Sequence, residues 1–356
     1  EPNEGRGLPD PADVPEPPDA APPHPGVLWI LGNPRFLCGD SSNPADLDRL
    51  LGGKSIHLCN TDPPYNVKVE PRSHNAIAAG LSSFTSDGAS KRLKQGQGNA
   101  ASFGIDHETG KPKHAATHKK LRAKDRPLAN DFVTDDAFDA LLDAWFSNIA
   151  RVLLPGRCFY IWGGYANCGN YPPVLKRHGL YFSQSIIWDK QHPVLTRKDF
   201  MGAHEWAFYG WKEGAGHKYY GPNNATDLWQ VKKVNPQSMV HLTEKPTELA
   251  VRAMKYSSRQ GENVLDLFGG SGSTLIAAEQ TGRHAFLMEL DCLYCDVIVD
   301  RFQRFTGQAG VLERTGQSPI AMAHRTNNEA KPSRVNSANK GKPASKHKQS
   351  KTKIPE

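Results

Sequence analysis

The sequence predicts an α/β fold built on a largely parallel sheet. Two observations lead there: short apolar runs alternate with helix-period segments along the chain, and a strand, a glycine-rich turn and a helix start follow one another from Val264 to Thr274. A third bounds the folded body. Hydrophobic residues make up 38% of the 356 residues and cluster between about Val27 and Leu312, which leaves both ends outside the core. That length suits one large domain with an inserted module, or two small domains.

The elements follow in order. Residues 1–25 hold nine prolines, six acids and one arginine without apolar periodicity, so they read as an extended acidic linker. Val27 to Leu31 and Arg35 to Asp40 read as two short strands, and Ala45 to Leu51 as a helical turn or two. Ser55 to Thr61 is a buried strand that the prolines of Asp62-Pro63-Pro64-Tyr65 end. Residues 66–130 are rich in Gly, Ser, Lys and His and read as a long basic loop insertion. Thr134 caps a helix with Phe138, Leu141, Leu142, Trp145, Ile149, Val152 and Leu153 on one face, which Pro155-Gly156 should stop. Arg157 to Trp162 and Tyr181 to Trp188 are strands, followed by a region of aromatics and turns to about Val240. Thr247 to Tyr256 is helical, Asn263 to Phe268 a strand, Ser273 to Thr281 a helix, Ala285 to Glu289 a strand and Tyr294 to Phe305 a helix.

Charge is unevenly placed. The net of +7 equals that of residues 325–356 alone, where nine Lys/Arg face two Glu, and residues 71–124 hold ten Lys/Arg against three acids. Clustered positive charge suits a polyanionic partner, though solubility alone would also explain it. No apolar run approaches the ~20 residues of a membrane span, so a soluble intracellular protein with no membrane partner is expected. The six cysteines are scattered among apolar stretches, as buried free thiols are. Cys292 and Cys295 lack a second pair at ligand spacing, so no metal is expected.

Two segments carry chemistry. The glycine-rich turn after Asp266 lets backbone approach a ligand closely, and Glu289, 17 residues after Gly272, ends the next strand where a carboxylate can accept both hydroxyls of a ribose. The glycines do not fit G-x-G-x-x-G, which disfavours a dinucleotide. Two prolines after a buried strand leave carbonyls without internal donors. There Asp62 and the Pro63 carbonyl could each accept one hydrogen of an exocyclic amine, while Tyr65 stacks on a flat base. Taken alone, Asp-Pro-Pro is also compatible with a plain turn.

Together, Asp62-Pro63-Pro64-Tyr65 and Phe268-Gly269-Gly270-Ser271-Gly272 form a motif pair that resembles the DNA amino-methyltransferases, from about Val27 to Gly307. Their order resembles the circularly permuted β group of that family. Phe36 to Asp40 resembles the family's segment before the catalytic strand, and His241 to Leu249 its H-P-T-x-K-P-x-x-L segment. Leu267, Ser273 and Leu242 depart from the usual proline, threonine and proline.

The resemblance implies a Rossmann-like, S-adenosylmethionine-dependent methyltransferase fold, with a mixed, mostly parallel sheet and an inserted DNA-recognition region. It implies a catalytic turn of Asp62, Pro63, Pro64 and Tyr65. It places Asp40 near the cofactor adenosine, Lys245 and Pro246 beside the methionine end and Glu289 on the ribose. Thr61, Asp266, Phe268, Gly269, Gly270, Ser271, Gly272 and Ser273 complete the expected S-adenosylmethionine pocket. Region 189–240 is the expected target-recognition region, with Lys190, Arg197, Lys198, Lys232 and Lys233 on DNA phosphates and Trp206 and Phe208 in the core. The expected reaction is methylation of N6 of a flipped adenine in double-stranded DNA. N4-cytosine methylation and an inert DNA-binding relative are the alternatives. The segment His204 to Lys212 and the linker resemble bacterial and phage methyltransferases fused to a ParB-like N-terminal domain. A preceding domain of that kind, a homodimer, a cytoplasmic, nucleoid-associated location and a disordered basic tail at 325–356 are expectations on the same footing.

Overall fold

A computed structural model of the chain describes residues 10–18, 25–66, 130, 133–164, 167–194, 199–233 and 244–313. The basic insertion, the tail at 325–356, Arg197, Lys198 and the segment 241–243 lie outside them. The described residues all fall within one unit, Glu1–Pro319.

Ten strands form one sheet: β1 (Leu28–Ile30), β2 (Arg35–Cys38), β3 (Ile56–Thr61), β4 (Leu153–Gly163), β5 (Leu180–Val194), β6 (Gly202–Lys212), β7 (Leu228–Gln230), β8 (Asn263–Asp266), β9 (His284–Glu289) and β10 (Val311–Leu312). Their spatial order is β10-β1-β2-β9-β8-β3-β4-β6-β5-β7. The run β2-β9-β8-β3-β4 is parallel throughout, and antiparallel pairs extend it on both sides. The parallel centre explains the continuous apolar character of β3, β8 and β9, whose faces are both covered. From β3 the chain order proceeds outward through β4, and from β8 it proceeds the opposite way through β9. The two strands therefore flank a topological switch point, where ligands bind beyond the carboxyl ends of α/β sheets.

The helices are α1 (Pro44–Leu51), α2 (Asp135–Val152), α3 (Tyr171–Arg177), α4 (Thr247–Ser257), α5 (Ser273–Thr281) and α6 (Cys292–Thr306). Helix α1 has Asn43 as its N-cap, proline at its first position and left-handed Gly52 at its end. Helix α2 is capped by Thr134, whose hydroxyl accepts from the Ala137 amide, and it buries Phe138, Leu142, Trp145, Phe146 and Ile149 against the sheet. No helix among the described residues is long and apolar enough to cross a membrane.

Several elements differ from the sequence reading. Helix α2 ends at Val152, and Pro155-Gly156 lies inside β4 rather than ahead of it. The register jumps there, since Ile56 pairs with Leu153 but Leu58 with Cys158. Left-handed Gly156 (φ 74°) thus takes up an irregularity within the strand. The region read as aromatics and turns contains β6, an inner strand paired with both β4 and β5. Phe208 is buried on it and Trp206 packs against the core, as expected of both. Helix α3 and strands β7 and β10 were not anticipated. The N-terminal segment is also not wholly free of the body. The Pro11 carbonyl accepts from Arg301 at 2.7 Å, Val14 packs against Leu293, Tyr294 and Val297, and Pro15 is buried.

Candidate active site

The cleft opens where β3 and β8 end. The side chain of Thr61, the last residue of β3, ties the two ends together. Its hydroxyl donates to Asp266 Oδ1 at 2.9 Å and accepts from the Leu267 amide at 3.0 Å. The Phe268 amide donates to the same Asp266 oxygen at 3.1 Å. The glycine turn then needs two left-handed residues, Gly270 (φ 52°) and Gly272 (φ 85°), before α5 begins. Glu289, at the end of β9, holds this turn. Its Oε2 accepts from the Gly270 amide at 2.8 Å and its Oε1 from the Asp291 amide at 2.9 Å. Behind the turn, buried Arg301 donates to the Ser271 carbonyl at 2.9 Å.

The Asp62-Pro63-Pro64-Tyr65 turn faces this cradle. Asn167 donates to the Tyr65 carbonyl at 2.6 Å. Asn66, in the left-handed region (φ 52°), exchanges two hydrogen bonds with the Val133 backbone. The Tyr65 ring sits over Gly164, where a Cβ would lie 2.8 Å from its Cδ2. Lys245 reaches across the cleft. Its Nζ donates to Asp62 Oδ2 and, at 2.9 Å, to the Tyr65 hydroxyl, which itself donates to Asp62 Oδ1. The ammonium lies 5.4 Å from the Tyr65 ring centre and 5.3 Å from that of Trp162.

Burial shapes the acids. It pushes the Asp266 and Glu289 carboxyls up to about 7 each, against the backbone and hydroxyl donors that favour ionisation. It raises Asp62 as well, with Lys245 pulling the other way, and it pushes the Tyr65 phenol well above its ordinary value. Burial would also raise Glu205, but Lys245 and Lys190 outweigh it and lower its pKa.

Of the residues expected from the sequence, Asp62, Pro63, Pro64, Tyr65, Asp40, Thr61, Lys245, Pro246, Asp266, Phe268, Gly269, Gly270, Ser271, Ser273 and Glu289 all line one cleft. Gly272 does not line it; it supplies the bend that starts α5. Lys245, expected at the methionine end, directs its ammonium to Asp62. Lys190, expected on a DNA phosphate, is buried and paired with Glu205 at 2.7 Å, so its charge is already used. Lys232 is exposed and Lys233 half-buried. Sequence reasoning did not single out Asn60, Trp162, Gly164, Asn167, Glu205 or Glu244. Asn60 and Glu244 stand within or beside the quoted motifs, and Glu205 carried a signal as an acid at the start of the apolar stretch that became β6.

The lining suits a particular ligand chemistry. Among the described residues, six acids face the cleft (Asp40, Asp62, Glu244, Asp266, Glu289 and Asp291) against one cation, Lys245. The amide oxygen of Asn60 is buried without a partner, while its nitrogen donates to Thr274 at 3.2 Å. Such a surface repels phosphates and welcomes hydroxyl donors and positive charge. A nucleoside bearing an ammonium and a sulfonium fits these residues, whereas a phosphorylated cofactor does not.

The chain is similar to the type II methyltransferase M2.DpnII of Streptococcus pneumoniae, 25% identical over 174 residues that make up 45% of this chain and 65% of that one. It is similar to the type II methyltransferase M.Cfr9I of Citrobacter freundii, 29% identical over 142 residues, 36% of this chain and 47% of that one. The chain thus spans about half to two-thirds of the length of these relatives. Among solved structures, an M1.HpyAVI complex with SAM superposes with a TM-score of 0.48 and 17% identity, covering 75% of this chain and 98% of the other. The family model described as DNA methylase matches residues 56–300, well over half of the sequence, and on that match the chain belongs to the N6/N4 DNA methylase family.

Proposed function

We propose that this chain is an S-adenosylmethionine-dependent DNA methyltransferase that methylates N6 of an adenine turned out of the duplex. The observation that supports it is the meeting of a carboxylate turn and an acidic, glycine-bent cradle in one cleft, across the β3/β8 switch point. The cradle would hold the cofactor: Glu289 for the ribose hydroxyls, Asp266 and the unpaired Asn60 oxygen for the ammonium, and Phe268 and Pro246 along its length. Bound there, S-adenosylmethionine would supply a methyl group activated by its sulfonium.

The rest is the work of the turn. An exocyclic amine is a weak nucleophile because its lone pair is delocalised into the ring. Asp62 and the Pro63 carbonyl each accept one of its hydrogens, which restores density to nitrogen and fixes its direction. Tyr65 offers an aromatic face to the base. Nitrogen must shed a proton once methylated, and the raised Asp62 carboxylate is the adjacent acceptor. Reaching a base inside a duplex requires extrusion. Exposed Lys232, with Arg197 and Lys198 of the β5–β6 connection, supplies cations for phosphates. The choice of adenine rests on aspartate at position 62, where relatives acting on N4 of cytosine more often carry serine.

Asp62→Ala tests the assignment. Methyl transfer to DNA should be lost while S-adenosylmethionine binding, followed by calorimetry, stays within a few-fold. Wild-type turnover in the variant would overturn it.

A further inference from the structure

Asp62 is the group the target amine needs, and Lys245 is already on it. A lysine ammonium brings three donors and a full positive charge. Bonded to Asp62, it competes for the acceptor and opposes the positive charge that develops on nitrogen during methylation. Lys245 must therefore have somewhere else to go. The structure provides a second carboxylate: Glu205 Oε2 lies 3.4 Å from Lys245 Nζ while the lysine is bonded to Asp62. Glu205 sits on β6, within the inner sheet, and its other oxygen is held by buried Lys190 at 2.7 Å. The carboxylate is thus fixed and ionised, and a small rotation of the lysine side chain exchanges one partner for the other.

We propose that Glu205 is a positioning residue that acts through Lys245, offering the ammonium a second seat so that Asp62 is freed when the amino group of the flipped base arrives. With the site empty, Lys245 keeps Asp62 paired. With a base in place, the charge moves to Glu205, away from the reacting nitrogen. The inference rests on the methyltransferase reading of the cleft, but concerns a residue outside its lining.

The test uses tritium-labelled S-adenosylmethionine and bulk genomic DNA from a host without adenine or cytosine methylation. Base extrusion follows DNA binding, so Glu205→Gln should lower kcat about 10- to 150-fold, the range for a lost hydrogen bond to a charged group. KM for DNA and Kd for S-adenosylmethionine should stay within about twofold. Glu205→Asp should recover part of the loss. Lys245→Met should retain measurable transfer, because the lysine is an occupant to be displaced, and adding Glu205→Gln to it should change nothing further. An unchanged kcat in Glu205→Gln would overturn the proposal, as would a parallel fall in cofactor affinity and thermal stability. A dead Lys245→Met variant, or an equal Glu205→Gln effect in its background, would overturn it too. Failure of the unaltered protein to transfer methyl groups would instead count against the methyltransferase reading.

Discussion

Replacing Glu289 by glutamine removes a charge and forces a choice. Both carboxylate oxygens accept backbone amides, from Gly270 at 2.8 Å and Asp291 at 2.9 Å. Glutamine has one oxygen, so its NH2 group must face one of those amides as a second donor. The turn therefore loses one of its two anchors, and the ribose hydroxyls lose a charged acceptor; the latter costs about 1.5–3 kcal/mol, or roughly 10- to 150-fold in the Kd for S-adenosylmethionine at about 1.4 kcal/mol per decade. The pH dependence follows from burial, which lifts the Glu289 carboxyl to about 7. Ribose hydroxyls bind its ionised form, so affinity should weaken as pH falls from about 8 through 7 to 6, and Glu289→Gln should flatten that dependence. Stability of the ligand-free protein runs the other way. The folded pKa lies above the unfolded value of about 4.3, so between those values the folded state holds a proton that the unfolded state has lost. The contribution of this carboxyl is present below about pH 4 and is lost as pH rises to about 7. Titration calorimetry at about pH 8 and pH 6 is the assay. A variant Kd equal to wild type, with the same pH dependence, would show that the ribose is held elsewhere than at Glu289.

Three further outcomes are expected. Gly164→Ala places a methyl group 2.8 Å from the Tyr65 ring; methyl transfer should fall while S-adenosylmethionine binding and the thermal midpoint hold, and wild-type kcat would show that the ring position is unimportant. Arg301→Ala strips donors from the Ser271 and Pro11 carbonyls and should destabilise the fold by about 1–3 kcal/mol in urea titration, with weaker cofactor binding; an unchanged midpoint would contradict the anchoring role. Truncation after His324 removes nine Lys/Arg and two Glu; each phosphate that the tail neutralised should add ~0.9 to the slope of log affinity against log salt, so the shortened protein should show a shallower slope, alike on all duplexes, and an unaltered slope would make the tail a solubilising appendage.

The half of the fold built from local signals was legible. The glycine turn, the proline turn and the capped helix α2 each announce themselves within a short stretch of chain, and α5 falls where its spacing put it. Features set by distant partners were not. β6 becomes an inner strand because β4 and β5 flank it, which its own composition of aromatics, charge and glycine does not reveal. Pro155-Gly156 reads as a helix stop, yet the sheet absorbs it as a register shift within β4. Lys190 resembles any surface cation in sequence, and only the fold places it against Glu205. The direction of Lys245 was likewise invisible, because its position in a family motif says where its backbone lies and not which carboxylate its ammonium meets.

The most direct test of the account is modified-base sequencing of DNA from cells that express the protein in a host without its own methylation, alongside cells expressing Asp62→Ala. N6-methyladenine is expected at one recurring sequence, absent with the variant. N4-methylcytosine at such a sequence would contradict the choice of base, and unmodified DNA in both would contradict the proposed activity itself.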